Sequence, residues 1–368
     1  MIPSRLALLL PVVLAGWFAP ALPAAAQTLE QMAGQMIIVG FTGDSVDAKG
    51  VAAARAEIAA QVLGGVMYLK TNVRSLAAVR EMNAAFKAAS PTLAPFITLD
   101  QEGGAVERLT EAVGFAEIPS AASIAASTTP EGAQEIYRDL ARRIAAEGFT
   151  VNFGPVADID LNPDNQIIAK FGRAYGTTAE TVTKYDLAFI NGHRAAGLLT
   201  SLKHFPGHGS STADSHEGFV DISKTWDKSE LAPYRTLFDA GYKDFVMVGH
   251  LYHEAYAGAG PVKLPASLSP EWITGVLRNE LGFAGVVISD DLEMGAIREH
   301  FNLEDTVTRA VRAGMDVLLF SNTADNRLSL AAEVRAILVA EANADPDFRV
   351  RIEQSFGRIV GLKQRIGQ

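Results

Sequence analysis

Leu198-Leu199-Thr200-Ser201-Leu202-Lys203-His204-Phe205-Pro206-Gly207-His208-Gly209-Ser210-Ser211-Thr212-Ala213-Asp214-Ser215-His216 is the stretch around which the fold and the chemistry of this chain are organised. Its first five residues are a short apolar run of the kind that forms a buried strand. Three histidines, a lysine and an aspartate follow, interrupted by two glycines and a proline. That mixture suits neither an amphipathic helix nor a sheet. It reads as a loop that carries polar groups away from a strand end, where α/β folds keep their chemistry.

Working outward, similar apolar runs recur along the chain. Strand candidates precede this one at residues 34–41, 62–69, 95–100 and 149–159, and follow it at 245–249, 285–290 and 316–320. Helical stretches separate them, at residues 46–61, 75–89, 131–147, 179–196, 229–240, 271–281 and 303–313, with two more at 324–342 and 348–366. Residues 131–147 show the pattern best, with Ile136, Leu140 and Ile144 on one stripe and charged Glu135, Arg138, Asp139, Arg142 and Arg143 elsewhere, a period of about 3.6. Ser229 is a candidate N-cap and Gly241 a stop for the helix between them. Eight apolar runs alternating with helices predict a parallel sheet, and the count favours a single-domain (β/α)8 TIM-type barrel over an open doubly wound sheet. No linker rich in proline, glycine or serine divides the chain.

Composition narrows the function. The formal net charge of −10 argues against a nucleic-acid partner, because such binding rests on an excess of lysine and arginine at phosphates. There is no cysteine, which removes disulfides, thiol nucleophiles and thiolate metal sites. Residues 1–26 place Arg5 before an apolar run and end on Ala24-Ala25-Ala26, the layout of a cleavable secretory signal. The expectation is export, with residues 27–368 as the mature catalytic domain in the periplasm or outside the cell. An uncleaved anchor is the alternative, although the apolar run is short for a bilayer span.

In a barrel the reacting groups stand just past the strands. By position these are Asp100, Asp158, Asp160, Lys203, His204, His208, His250, His253, Asp290 and Asp291. Asp290 is the nucleophile candidate, because it ends an apolar strand. Asp291 either joins it or caps the next helix. Asp214 and His216, two residues apart, can pair on one side of an extended loop. The carboxylate then fixes the ring tautomer for proton transfer. His204 and His208 have the spacing of zinc-binding helices, but Pro206 and Gly207 deny them a helical turn, so no metal is expected. No dinucleotide or phosphate loop is present, so no cofactor is expected either.

Five blocks carry a resemblance: Asp100-Gln101-Glu102-Gly103-Gly104, Asn152-Phe153-Gly154-Pro155-Val156-Ala157-Asp158, Arg173-Ala174-Tyr175-Gly176, Lys203 to His216, and Ile288-Ser289-Asp290-Asp291-Leu292-Glu293-Met294. They resemble glycoside hydrolase family 3, in particular its single-domain bacterial β-N-acetylhexosaminidases. The resemblance implies Asp290 as nucleophile and His216 as general acid/base oriented by Asp214. It also implies that Asp100, Arg108, Arg173, Lys203 and His204 hold a terminal N-acetylglucosamine. Ala105, Ser210-Ser211 and Arg173-Ala174-Tyr175-Gly176 depart from the family's usual residues.

The function implied is exo-acting, retaining removal of terminal N-acetylglucosamine from peptidoglycan fragments or chito-oligosaccharides through a covalent glycosyl-enzyme. The expected partner is a small carbohydrate, with no nucleic acid and no stable membrane partner. Two alternatives stay beside it, a phosphorolytic N-acetylglucosaminidase and an inactive envelope sugar-binding protein.

Overall fold

The apolar runs come together as one parallel sheet in the computed structural model, which describes residues 27–258 and 260–367. The expected signal, residues 1–26, lies outside the described residues. The strands are β1 (Ile37–Gly40), β2 (Gly65–Met67), β3 (Phe96–Leu99), β4 (Val151–Asn152), β5 (Leu199–Phe205), β6 (Phe245–Val248), β7 (Val286–Ser289) and β8 (Leu318–Phe320). Each pairs in parallel with the next in sequence as far as β7, and β8 pairs back onto β1 with Ile38 opposite Leu319. A single bridge between Ile288 and Val317 joins β7 to the residue before β8 and nearly completes the circuit. The expected eight-stranded barrel is therefore observed.

These strands are buried along their whole length, which is why they read as unbroken apolar runs: helices cover one face and the barrel lumen takes the other. The lumen is filled with side chains. Phe96 of β3 and Phe245 of β6, from strands that do not pair, meet edge to face at 5.0 Å. The helices are capped by local chemistry. Ser75, Thr129, Thr178 and Asn302 each accept a backbone N–H from the first turn, satisfying donors that a helix leaves open.

Several boundaries differ from expectation. The first strand starts later than residue 34, because Leu29–Gln35 forms a helix closed at its start by a capping box of Thr28 and Gln31. The fourth is cut to two residues: Pro155 has no N–H to donate to a ladder, and only Val156 bridges to Lys203 beyond it. Ser229 is not an N-cap. Asp227 takes that role, accepting the N–H of Ser229 at 2.8 Å, and the turn Lys228–Leu231 leads into the helix Ala232–Asp239. The last two helices run over Leu330–Ala344 and Pro346–Lys363, with Asp345 capping the second. The fifth strand extends through Phe205, so Lys203 and His204 are strand residues and not loop residues.

Among the described residues no helix is long and apolar enough to cross a membrane.

Candidate active site

Asp100 directly follows β3, Lys203 and His204 occupy the end of β5, and Asp290 directly follows β7. Their shared end of the barrel opens into a cavity of about 340 Å³. Asp100, Arg108, Arg173, Lys203, His204, His216 and Asp290 all line it, as do Glu102, His208 and Asp291. Met67, Leu69, Phe153, Met247, Met294 and Leu319 form its apolar walls. Seven of the eight residues to which the family resemblance gives a role thus meet in one place. The eighth, Asp214, holds His216 from the far side of its loop.

The floor is a chain of opposite charges. Arg108 Nη2 donates to Asp100 Oδ2 at 2.8 Å, and Lys203 Nζ donates to Asp100 Oδ1 at 2.7 Å. The same Nζ lies 2.6 Å from Glu102 Oε1. Glu102 in turn takes two 2.8 Å hydrogen bonds from Arg173, one from Nε and one from Nη2. Lys203 is only 2% exposed, and such a cation is tolerable only because two carboxylates surround it. Burial would raise the Glu102 carboxyl, but Arg173 and Lys203 hold it well below the usual carboxylate range. Asp100 is likewise lowered against burial by Lys203 and Arg108, and Lys203 is raised against burial by Asp100 and Glu102.

His204 connects this chain to a second carboxylate. Its Nδ1 is 2.7 Å from Asp158 Oδ2, and Arg173 Nη2 lies 3.4 Å from its Nε2. A guanidinium can only donate, so Nε2 is the acceptor and Nδ1–H points at Asp158. Asp158 Oδ1 also accepts the backbone N–H of His208 at 2.7 Å. The His208 ring is pushed down to about 4 by burial and then by His204. Its Nδ1 meets Ser211 Oγ at 2.6 Å.

Asp290 faces this floor. Burial would raise its carboxyl, but the imidazoles of His204, His250 and His216 and the Asp291 N–H outweigh it and bring it to about 2. It is therefore an anion at neutral pH. His250 Nε2 meets the backbone oxygen of Asp291 at 2.8 Å, so that nitrogen carries the proton and Nδ1 accepts from Ser267 Oγ at 2.7 Å. Asp291 caps no helix. Its Oδ1 accepts the N–H groups of Glu293 and Ser321 and ties the turn after β7 to the end of β8.

His216 stands on the loop after β5, its side chain 65% exposed, with Nδ1 2.8 Å from Asp214 Oδ1. Asp214 Oδ1 also accepts the backbone N–H of His216 at 2.8 Å. This leaves Nε2 free for a ligand in the cavity. His253 is elsewhere: it accepts the N–H of Ala255 and packs on Trp226. Asp160 does not line the cavity either. Glu102 was not assigned a role from the sequence, and Asp158 was noted only by its place past the fourth strand. Both lie inside the quoted motif blocks, so their carboxyl groups were visible, but their pairing with cations across the barrel was not. Among the described residues no group of three or more His, Asp or Glu side chains is disposed to hold a metal ion.

Residues 28–352 match the family described as glycosyl hydrolase family 3 N terminal domain. The chain is 30% identical over 327 residues to beta-hexosaminidase A of Pseudoalteromonas piscicida, covering 83% of this chain and 54% of that protein. It is 33% identical to a beta-hexosaminidase of Stenotrophomonas maltophilia, covering 77% of this chain and 82% of that one. The chain thus spans about half the length of the first of these relatives. The solved structure of a beta-N-acetylhexosaminidase from Beutenbergia cavernae superposes with a TM-score of 0.80 at 31% identity, over 92% of this chain and 99% of that one. Taken with the eight-stranded barrel and its charged mouth, these matches show that the chain belongs to glycosyl hydrolase family 3, through that family's N-terminal domain.

Proposed function

We propose that this protein is an exo-acting, retaining β-N-acetylglucosaminidase. The observation that carries the reading is that Asp290, an anion, and His216, with one ring nitrogen committed to Asp214, line the same cavity. In the reaction the Asp290 carboxylate attacks the anomeric carbon while His216 Nε2–H protonates the departing glycosidic oxygen. The glycosyl ester formed is then opened by water, whose proton returns to His216 Nε2. The common retaining arrangement uses two carboxylates. Here an imidazole backed by a carboxylate fills the acid/base place. Asp100, Arg108, Arg173, Lys203 and His204 offer fixed donors and acceptors to the sugar hydroxyls and the acetamido group.

The proposed substrates are peptidoglycan fragments or chito-oligosaccharides. Residues 1–26 are proposed to direct export, leaving residues 27–368 as the catalytic unit in the periplasm or outside the cell. The test is turnover of an aryl N-acetyl-β-glucosaminide, with the first-formed anomer followed by NMR. Asp290→Ala is expected to lose roughly 10³-fold or more, and the first product to be the β-anomer. Undiminished turnover by the variant overturns the assignment. Added phosphate that diverts the product to a sugar 1-phosphate replaces hydrolysis with phosphorolysis.

A further inference from the structure

The loop that carries His216 is held firmly at both feet. At its start Ser210 Oγ donates to Glu230 Oε1 at 2.5 Å, and the Gly209 N–H donates to Glu230 Oε2 at 3.0 Å. Gly209 itself is pressed so closely on Ile159 that an added Cβ would lie 1.7 Å from its carbonyl oxygen. At its end Val220–Asp221 pairs with Leu251–Tyr252, and the Phe219 ring packs on Tyr252 and on His300 at 5.0 and 5.7 Å. Between the feet, the two sides of the loop differ. One side faces an open cleft of about 620 Å³ bounded by Asp214 and Glu217 and, opposite them, Lys170 and Phe171. The other side lies against the start of the short helix Gly295–Arg298, just beyond Asp290 and Met294. There the Ala296 N–H donates to Ser215 O at 3.3 Å. A Cβ at Gly295 would stand 2.8 Å from His216 O and 3.2 Å from Gly218 N.

We propose that Gly295 is a positioning residue for the acid/base dyad, its missing side chain forming the seat on which the backbone at His216 rests. The inference builds on the proposed glycosidase reading. Gly295 is not among the residues with a left-handed backbone, so nothing in its own conformation demands glycine. The demand comes from the neighbouring loop. A methyl group 2.8 Å from a backbone oxygen must push that oxygen away, and the open cleft on the far side gives the loop room to go. His216 then moves off the leaving oxygen while the barrel, Asp290 and the sugar-binding floor stay in place. Proton transfer needs heavy atoms within about 2.6–3.2 Å, so a shift of well under 1 Å weakens general-acid catalysis before it touches anything else.

The experiment compares the full chain with Gly295→Ala, Gly295→Val and His216→Ala on aryl N-acetyl-β-glucosaminides whose leaving groups run from 2,4-dinitrophenol, which departs unprotonated, to phenol, which does not. Gly295→Ala is expected to lower kcat/KM about tenfold for the phenyl glycoside and less than about threefold for the dinitrophenyl one, with an unchanged unfolding temperature; these sizes follow from partial loss of a general-acid effect of roughly 10²–10⁴. Gly295→Val is expected to exaggerate the split. Adding Gly295→Ala to His216→Ala is expected to cost nothing further, the signature of residues acting through one another. Equal loss on both glycosides, no loss on either, or a full additional loss in the double variant overturns the seat. If Gly295→Val does not fold, the alanine variant and the double variant decide alone. If His216→Ala itself shows no leaving-group dependence, the dyad reading fails, and the seat falls with it. If His216→Ala shows the dependence and Gly295→Ala does not, only the seat fails.

Discussion

Asp158 fixes the orientation of His204: its Oδ2 lies 2.7 Å from Nδ1, which presents Nε2 to Arg173 and the cavity. The aspartate touches no ligand-facing surface of its own, yet it sets which nitrogen of the ring is an acceptor. Asp158→Asn replaces an acceptor oxygen by a donor or leaves a weaker one. We expect kcat/KM to fall roughly 10–100-fold, the value of one charge-assisted hydrogen bond of about 1.5–3 kcal/mol, and the ring ¹⁵N shifts of His204 to report a changed tautomer. Unchanged ring shifts would remove the orienting role.

Lys203 is the next position to test, because two carboxylates depend on it. Lys203→Met removes the cation but leaves Asp100 and Glu102 buried beside each other. The expected destabilisation is about 3–5 kcal/mol, typical of breaking a buried ion pair from one side, measured by urea unfolding. A loss below about 1 kcal/mol would mean that Arg108 and Arg173 suffice without it.

Glu230 supplies a pH signature. Burial, the largest influence, raises its carboxyl from 4.5 to about 7, against the lowering effect of Ser210. Between these values the folded protein binds more protons than the unfolded chain, so stability falls as pH rises through that window. The contribution is on the order of 3 kcal/mol. Glu230→Gln is expected to flatten the dependence of the urea midpoint between pH 5 and pH 8. An equal slope in both proteins would place the titration elsewhere.

His216→Ala should separate the two chemical steps. Loss of the general acid is expected to cost roughly 10²–10⁴-fold on a sugar or phenyl leaving group and far less on dinitrophenyl. With the dinitrophenyl substrate, stopped-flow kinetics should show a burst, because the second step loses its base and the glycosyl ester accumulates. A steady linear trace with equal loss on both substrates would contradict the assignment.

Much of this was legible in the residues. Eight buried strands announce themselves as apolar runs because no side of them meets water, and Asp100 and Asp290 follow such runs directly. What was not legible depends on partners distant in sequence. Lys203 and His204 were read as loop residues because polar groups usually mark exposure, whereas inside the barrel end Asp100 and Glu102 neutralise Lys203 and Asp158 accepts the His204 ring N–H. Glu102 looked like an incidental motif residue for the same reason, and Asp158 was read only as a strand-end acid, without its partner. The fourth strand was overextended because the apolar residues Phe153, Val156 and Ile159 are buried, whereas the ladder breaks after Asn152 around Pro155 and returns only as the single bridge from Val156 to Lys203. Ser229 lost its capping role to Asp227, two residues earlier, where sequence preference alone does not choose between them.

The alternating row of Arg108, Asp100, Lys203, Glu102 and Arg173 has one more implication. Every ion there touches one of opposite sign, and the Asp290 carboxylate facing the floor offsets the one positive charge that three cations and two carboxylates leave over, so a guest gains little by bringing a charge of its own. What it can gain is the match between the directions of its hydroxyl groups and lone pairs that are already aimed. A mouth built this way tells epimers apart better than it tells acids from bases, and a single inverted carbinol should cost a sugar more than an added carboxylate placed out of reach of the row.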